Sequence, residues 1–183
     1  GQVHANYGFD NAGAIFIICL NINGTFKDEK LISQVELPNQ LYIGDEFGIE
    51  VTRFNMKQNV LIVGSRRDDD DGNDRGAIYI LDIEPITLEL NAFKKISNIQ
   101  LKSLKNDDLF GTHIDSIDDF NNDGIYYDLL VSTINRKVYL LFLNHDYTLK
   151  EYQLITAFDI DNTFPLYSIQ LPTKVTSTSK FGD

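Results

Sequence analysis

A unit of a little over 60 residues recurs through this chain, and a repeat of that length restricts the fold before any single residue is interpreted. Residues 15–33 align without a gap on residues 138–156, an offset of 123. Leu20-Asn21 meets Leu143-Asn144, Thr25 meets Thr148, Lys27 meets Lys150 and Leu31-Ile32 meets Leu154-Ile155. A third copy lies between them, where Gly76-Ala77-Ile78-Tyr79-Ile80-Leu81 echoes Gly13-Ala14-Ile15-Phe16-Ile17-Ile18 at an offset of 63. Phe47-Gly48 returns as Phe110-Gly111 at the same offset, and Phe181-Gly182 opens a further copy.

Each unit reads as four short strands. Ile49–Phe54 and Thr112–Ile117 follow the Phe-Gly pairs, then come Leu61–Ser65 and Leu129–Ser132. The strands around Ile78 and Val138 follow, and Phe93–Ile99 and Tyr152–Phe158 close the units. Helical periodicity is absent, whereas short apolar runs bounded by turn residues are frequent. Runs such as Val60–Val63 and Leu129–Val131 lack polar alternation, as expected of strands covered on both faces. The sequence therefore predicts an all-β fold of tandem four-stranded antiparallel blades, a partial β-propeller segment. A β-sandwich needs no such repeat, and a β-solenoid usually has a shorter one.

By this reading residues 1–40 hold the last strands of a partial blade and 41–104 a full blade. Residues 105–178 form a second full blade carrying a metal loop, and 179–183 start the next. Residues 159–178, with Pro165 and Pro172, are a longer last connection. Propellers close with about 4 to 8 blades, so the chain is expected to be a segment of a longer protein.

One inter-strand stretch carries chemistry. In Asp118-Asp119-Phe120-Asn121-Asn122-Asp123-Gly124-Ile125-Tyr126-Tyr127-Asp128, the residues Asp119, Asn121 and Asp123 alternate, so a curling chain turns three oxygens inward. Gly124 supplies the positive φ of a sharp turn. The carbonyl of Ile125 and the carboxylate of Asp128 complete a hard oxygen set that suits Ca²⁺ better than Zn²⁺ or Mg²⁺. An EF-hand is excluded, because its twelfth position would fall on Leu130 where a Glu is required, and a β run follows in place of a helix. The alternative is a metal-free turn in which Asn and Asp bond their own backbone. The corresponding stretch of the preceding unit, Arg53–Val60, has no carboxylate, so one Ca²⁺ site is expected across the complete repeats. The run Asp68–Asp71 reads as a solvated loop neutralised by Arg66, Arg67 and Arg75.

Composition narrows the functional classes. The formal net charge of −11, from 27 acidic and 16 basic residues, argues against nucleic acid and anionic membrane surfaces. No apolar run reaches the roughly 18 residues of a membrane span. Cys19 is alone, which excludes an internal disulfide and a thiolate cluster. Ser65 has no evident base, and no nucleophile elbow, His-Glu-x-x-His pair or phosphate loop is present, so a non-enzymatic role is expected. Asn23-Gly24-Thr25 is both a hairpin turn and an N-glycosylation triplet.

Taken together, Phe-Gly, the acidic loop, Asp128-Leu129-Leu130-Val131-Ser132 and Gly76-Ala77-Ile78-Tyr79-Ile80-Leu81 resemble the FG-GAP repeat of integrin α-subunit propellers and related surface proteins. So do Asp69–Leu81 and Leu20–Lys27, and the resemblance runs from about Tyr7 to Asp183. In that family the metal loop closes with a carboxylate where this chain has Tyr127, with Asp128 one residue later. Gly64-Ser65-Arg66 and Ser132-Thr133-Ile134 stand where the family has Gly-Ala-Pro. The resemblance implies a calcium-stabilised segment outside the cell or at its surface, serving adhesion or binding protein or glycan through its loops. It implies further blades of the parent chain as neighbours, and no membrane contact by this segment. The alternatives are an accessory propeller of a larger secreted enzyme and a propeller-based hydrolase or lyase.

Overall fold

The computed structural model describes Gly1 and residues 10–156. The connection at 159–178 and the Phe181-Gly182 copy lie outside the described residues. Among the described residues, ten strands form three antiparallel sheets. The first holds β1 (Ile15–Leu20) and β2 (Phe26–Ile32). The second runs in order through β3 (Phe47–Phe54), β4 (Lys57–Ser65), β5 (Ala77–Ile83) and β6 (Leu90–Ile96). The third holds β7 (His113–Ser116), β8 (Leu129–Ser132), β9 (Lys137–Leu143) and β10 (Leu149–Thr156), again in chain order.

The interiors of β4 and β5 are apolar on both faces because each of these strands is covered twice. Val63, Tyr79 and Leu81 pack toward the first sheet in one cluster with Ile15, Ile32, Leu37 and Leu41. Ile62, Ile78 and Ile80 pack the other way, in a cluster with Ile114, Val131, Tyr139 and Leu141 of the third sheet. Alternate residues of β4 and β5 thus serve two separate cores, which explains the missing polar alternation.

The recurrent pairs join neighbouring sheets. Gly13 bridges Phe47 and Gly76 bridges Phe110, both in parallel sense. Phe47 N–H donates to the Ala12 carbonyl and Phe110 N–H to the Arg75 carbonyl, each at 2.9 Å. Gly76 (φ +85°) has no room for a side chain, since a Cβ there would lie 2.2 Å from the Phe110 carbonyl oxygen. Gly111 (φ +91°) is held likewise against the Ala77 carbonyl oxygen, at 2.6 Å. Each Phe ring then meets a tyrosine of its own sheet edge-on, Phe47 on Tyr79 and Phe110 on Tyr139, with centroids 5.3 Å apart.

One expected strand is shorter than the sequence suggests. β6 stops at Ile96, and Ser97 opens a single helical turn, α1 (Asn98–Leu101). The Ser97 hydroxyl accepts from Ile99 N–H while Gln100 Oε1 accepts from Ser97 N–H at 2.9 Å, a reciprocal cap. Replacing Ser97 with alanine is expected to cost about 1 kcal/mol, read as a lower urea midpoint at unchanged slope.

The Asp68–Asp71 run also departs from the expected solvated loop. Asp68 is buried, and its Oδ2 accepts from Lys95 Nζ at 2.8 Å and from the Tyr79 hydroxyl at 2.9 Å. Lys95 also reaches Asp70 at 2.9 Å, and Asp70 accepts from the Ser97 hydroxyl. The main counter-charge is therefore a lysine on β6. Arg66 and Arg67 pair with Glu46, Arg67 also with Asp74, and Arg75 lies 3.5 Å from Asp71.

Candidate functional site

The acidic stretch is the connection between β7 and β8. Its base is closed by Ile117 N–H on the Asp128 carbonyl and Asp128 N–H on the Asp118 carbonyl, both 3.0 Å. Above that base the chain curls through left-handed residues at Asp118, Asn122 and Gly124 (φ +60°, +57° and +84°). These bends turn side-chain oxygens toward the loop's own amides. Asp119 Oδ1 and Asn121 Oδ1 both accept from Asp123 N–H, at 2.9 and 3.0 Å, and Asp119 Oδ2 accepts from Gly124 N–H at 3.0 Å. Asp123 Oδ1 accepts from Ile125 N–H at 2.9 Å. The loop thus gathers Asp119, Asn121, Asp123 and the Ile125 backbone within one turn.

Asp128 is the buried member. It is fully buried, and its Oδ2 accepts from Phe120 N–H at 2.7 Å and Asn121 N–H at 3.3 Å. Its Oδ1 has no hydrogen-bond partner among the described residues. Burial pushes this carboxyl up; the Phe120 and Asn121 amides counter that, and the Asp123 and Asp119 charges add to it. Asp123 is held below the usual carboxylate range, chiefly by the Lys150 ammonium 2.8 Å from its Oδ2. Tyr127 turns elsewhere: its ring packs against Phe54 and Tyr147, each with centroids 5.0 Å away. The extra residue in the loop therefore directs the aromatic side chain to the seam between sheets and the following carboxylate to the loop.

Two contributors escape a reading of the loop alone, Lys150 and Asn55. Lys150 of β10 bonds Asp123, and Asn121 Nδ2 donates to the same Asp123 Oδ2 at 3.0 Å. Asn55, at the turn joining β3 to β4, donates to Asp118 Oδ1 at 3.0 Å and ties the loop to the neighbouring sheet. Lys150 was visible in sequence only as a residue recurring with Lys27, which gave it a position without a role. In the second sheet Phe54 pairs directly with Lys57, so a two-residue turn stands where the third sheet has its acidic loop.

The donor set is chemically that of a hard cation: carboxylate and amide oxygens, with one buried carboxylate oxygen left without a partner among the described residues. Among the described residues no three His, Cys, Asp or Glu side chains converge as a metal cluster. In this structure the loop is held by amide donors and Lys150. A separate open groove of about 430 Å³ is lined by Glu50, His113, Ile114, Asp115, Leu130, Ser132 and Val138. There His113 Nδ1 lies 3.7 Å from Glu50, and the Ser132 hydroxyl is buried without a hydrogen-bond partner among the described residues.

Residues 42–81, which span β3, β4 and most of β5, match the FG-GAP repeat family. No curated protein matches the chain. The third sheet repeats the four-strand order of the second, the first shows two strands among the described residues, and the same Gly–Phe bridge joins each sheet to the next. Residues 42–81 are an FG-GAP repeat, and the described chain is a run of β-propeller blades.

Proposed function

We propose that this chain is a calcium-stabilised, non-catalytic propeller segment that acts outside the cell or at its surface, presenting loops to a protein or glycan partner. The observation that carries the reading is the β7–β8 loop, where Asp119, Asn121 and Asp123 share one turn beside the buried, half-satisfied carboxylate of Asp128. Those four side chains and the Ile125 carbonyl would hold the ion. Bound there, Ca²⁺ supplies positive charge that relieves the repulsion among Asp119, Asp123 and Asp128. Its role is structural, because a clamp on this hairpin also fixes Asp118 against Asn55 of the neighbouring blade.

Binding is favoured over catalysis by the groove at Glu50 and His113. The His113 ring nitrogen faces a carboxylate, and no base bonds the Ser132 hydroxyl among the described residues. Further blades of the parent protein are the natural neighbours of the terminal sheets, since each described joint reuses one contact pattern.

Calorimetric titration with Ca²⁺ is expected to give about one ion per chain, and Asp123→Ala to abolish the heat. Saturating Ca²⁺, at about 100-fold over Kd, should add about 2.7 kcal/mol to the native chain and nothing to the variant. Absence of both heat and stabilisation at millimolar Ca²⁺ would remove the metal from the proposal.

A further inference from the structure

Asn23 heads the only Asn-x-Ser/Thr triplet in the sequence, and it lies at the tip of the β1–β2 hairpin. The same hairpin occurs between β9 and β10, which makes an internal comparison possible. In both, the first asparagine donates through Nδ2 to the threonine hydroxyl at 3.0 Å, from Asn21 to Thr25 and from Asn144 to Thr148. In both, that hydroxyl donates in turn to the residue between: Thr25 to Asn23 Oδ1 at 2.7 Å, and Thr148 to Asp146 Oδ1 at 2.6 Å. The turn needs an oxygen at this position, and aspartate supplies it in one copy.

What asparagine adds at residue 23 is an amide nitrogen that the hairpin does not use. Asn23 is exposed, as are its neighbours from Asn21 to Glu29, and among the described residues its hydrogen bonds run through Oδ1, leaving Nδ2 unused. A Cβ built on Gly24 would meet nothing within 4 Å, so the tip stands clear of the body. Around it lie Leu20, Ile22 and Phe26, all solvent-exposed and apolar, with Ile22 fully so. A hydrated oligosaccharide at the tip would screen that apolar surface.

We propose that Asn23 is an acceptor for N-linked oligosaccharide. The amide Nδ2 bonds the anomeric carbon of a lipid-pyrophosphate-linked oligosaccharide and gives up one proton to base. The carbon–oxygen bond to the phosphate breaks, and the lipid pyrophosphate leaves with the electron pair. The assignment rests on the extracellular part of the proposed function and is independent of the metal.

The test translates the full chain behind a secretory leader in the presence of endoplasmic-reticulum microsomes, scoring translocation by protease protection and modification by mobility. The expected result is a protected chain with reduced mobility, restored by peptide N-glycosidase. Asn23→Asp should be protected equally and run unshifted, because Asp146 shows that the turn accepts aspartate. A protected native chain without a shift overturns the proposal, as does a shift that persists in Asn23→Asp. A chain that fails to cross overturns the extracellular reading and this assignment with it.

Discussion

Replacing Gly76 with alanine is expected to lower the unfolding free energy by about 3 kcal/mol or more, read from the urea midpoint. Two costs combine. The left-handed backbone at Gly76 (φ +85°) disfavours any side chain by about 1–2 kcal/mol. A Cβ would also stand 2.2 Å from the Phe110 carbonyl oxygen and 2.5 Å from its nitrogen, so backbone in two neighbouring blades must move apart. Gly124→Ala separates these costs. Its φ is +84°, yet a Cβ there meets nothing within 4 Å, so only the conformational part remains, about 1 kcal/mol. Equal losses for the two variants would refute the role given to Gly76 as a joint between blades.

The second large effect depends on pH. Asp45 is buried, and its Oδ2 accepts from Tyr42 N–H at 2.7 Å. Burial, reinforced by the charge of Asp68, pushes its carboxyl up to about 8, against the Tyr42 amide and Lys95. An acid raised in the folded state prefers its proton there. Its contribution is therefore complete below the ordinary carboxylate value and is lost progressively as pH rises toward 8. Asp45→Asn keeps an acceptor for Tyr42 and removes the ionisation. The variant should match the native chain near pH 4 and exceed it by a few kcal/mol, roughly, at pH 8 to 9. A difference that stays constant from pH 4 to 9 would refute this account. The repeat supplies an internal contrast: burial raises the equivalent Asp108 too, but the Lys105 amide, the Lys137 ammonium at 2.7 Å and Asn135 outweigh it and hold the carboxyl below the usual range. Where β9 opens with Lys137, β5 opens with Ala77, leaving Asp45 without that lysine.

The sheets were legible in the sequence because a repeat offers three readings of one pattern. Gly76-Ala77 and Phe110-Gly111 were visible as landmarks of the period. Their direct pairing across blades was not, because periodicity gives the spacing of residues and not which backbone atoms meet. The acidic loop was legible as a curl through Asp119, Asn121 and Asp123, since alternation and Gly124 dictate a turn locally. The partners Lys150 and Asn55 were not, because they arrive from other strands. Asp68 was misread for the same reason: its neighbours in sequence are charged, while Lys95 and Tyr79, which bury it, are brought in by strand pairing. The end of β6 at Ile96 was hidden because Ile99 continues the apolar pattern that Ser97 interrupts with a cap.

The joints at Gly13–Phe47 and Gly76–Phe110 are made by main-chain atoms and do not draw on the side chains that differ between units. The same main-chain contact thus fastens each described sheet to the next. The ornaments, an acidic loop on one sheet and a bare two-residue turn on another, are then free to diverge without disturbing those joints.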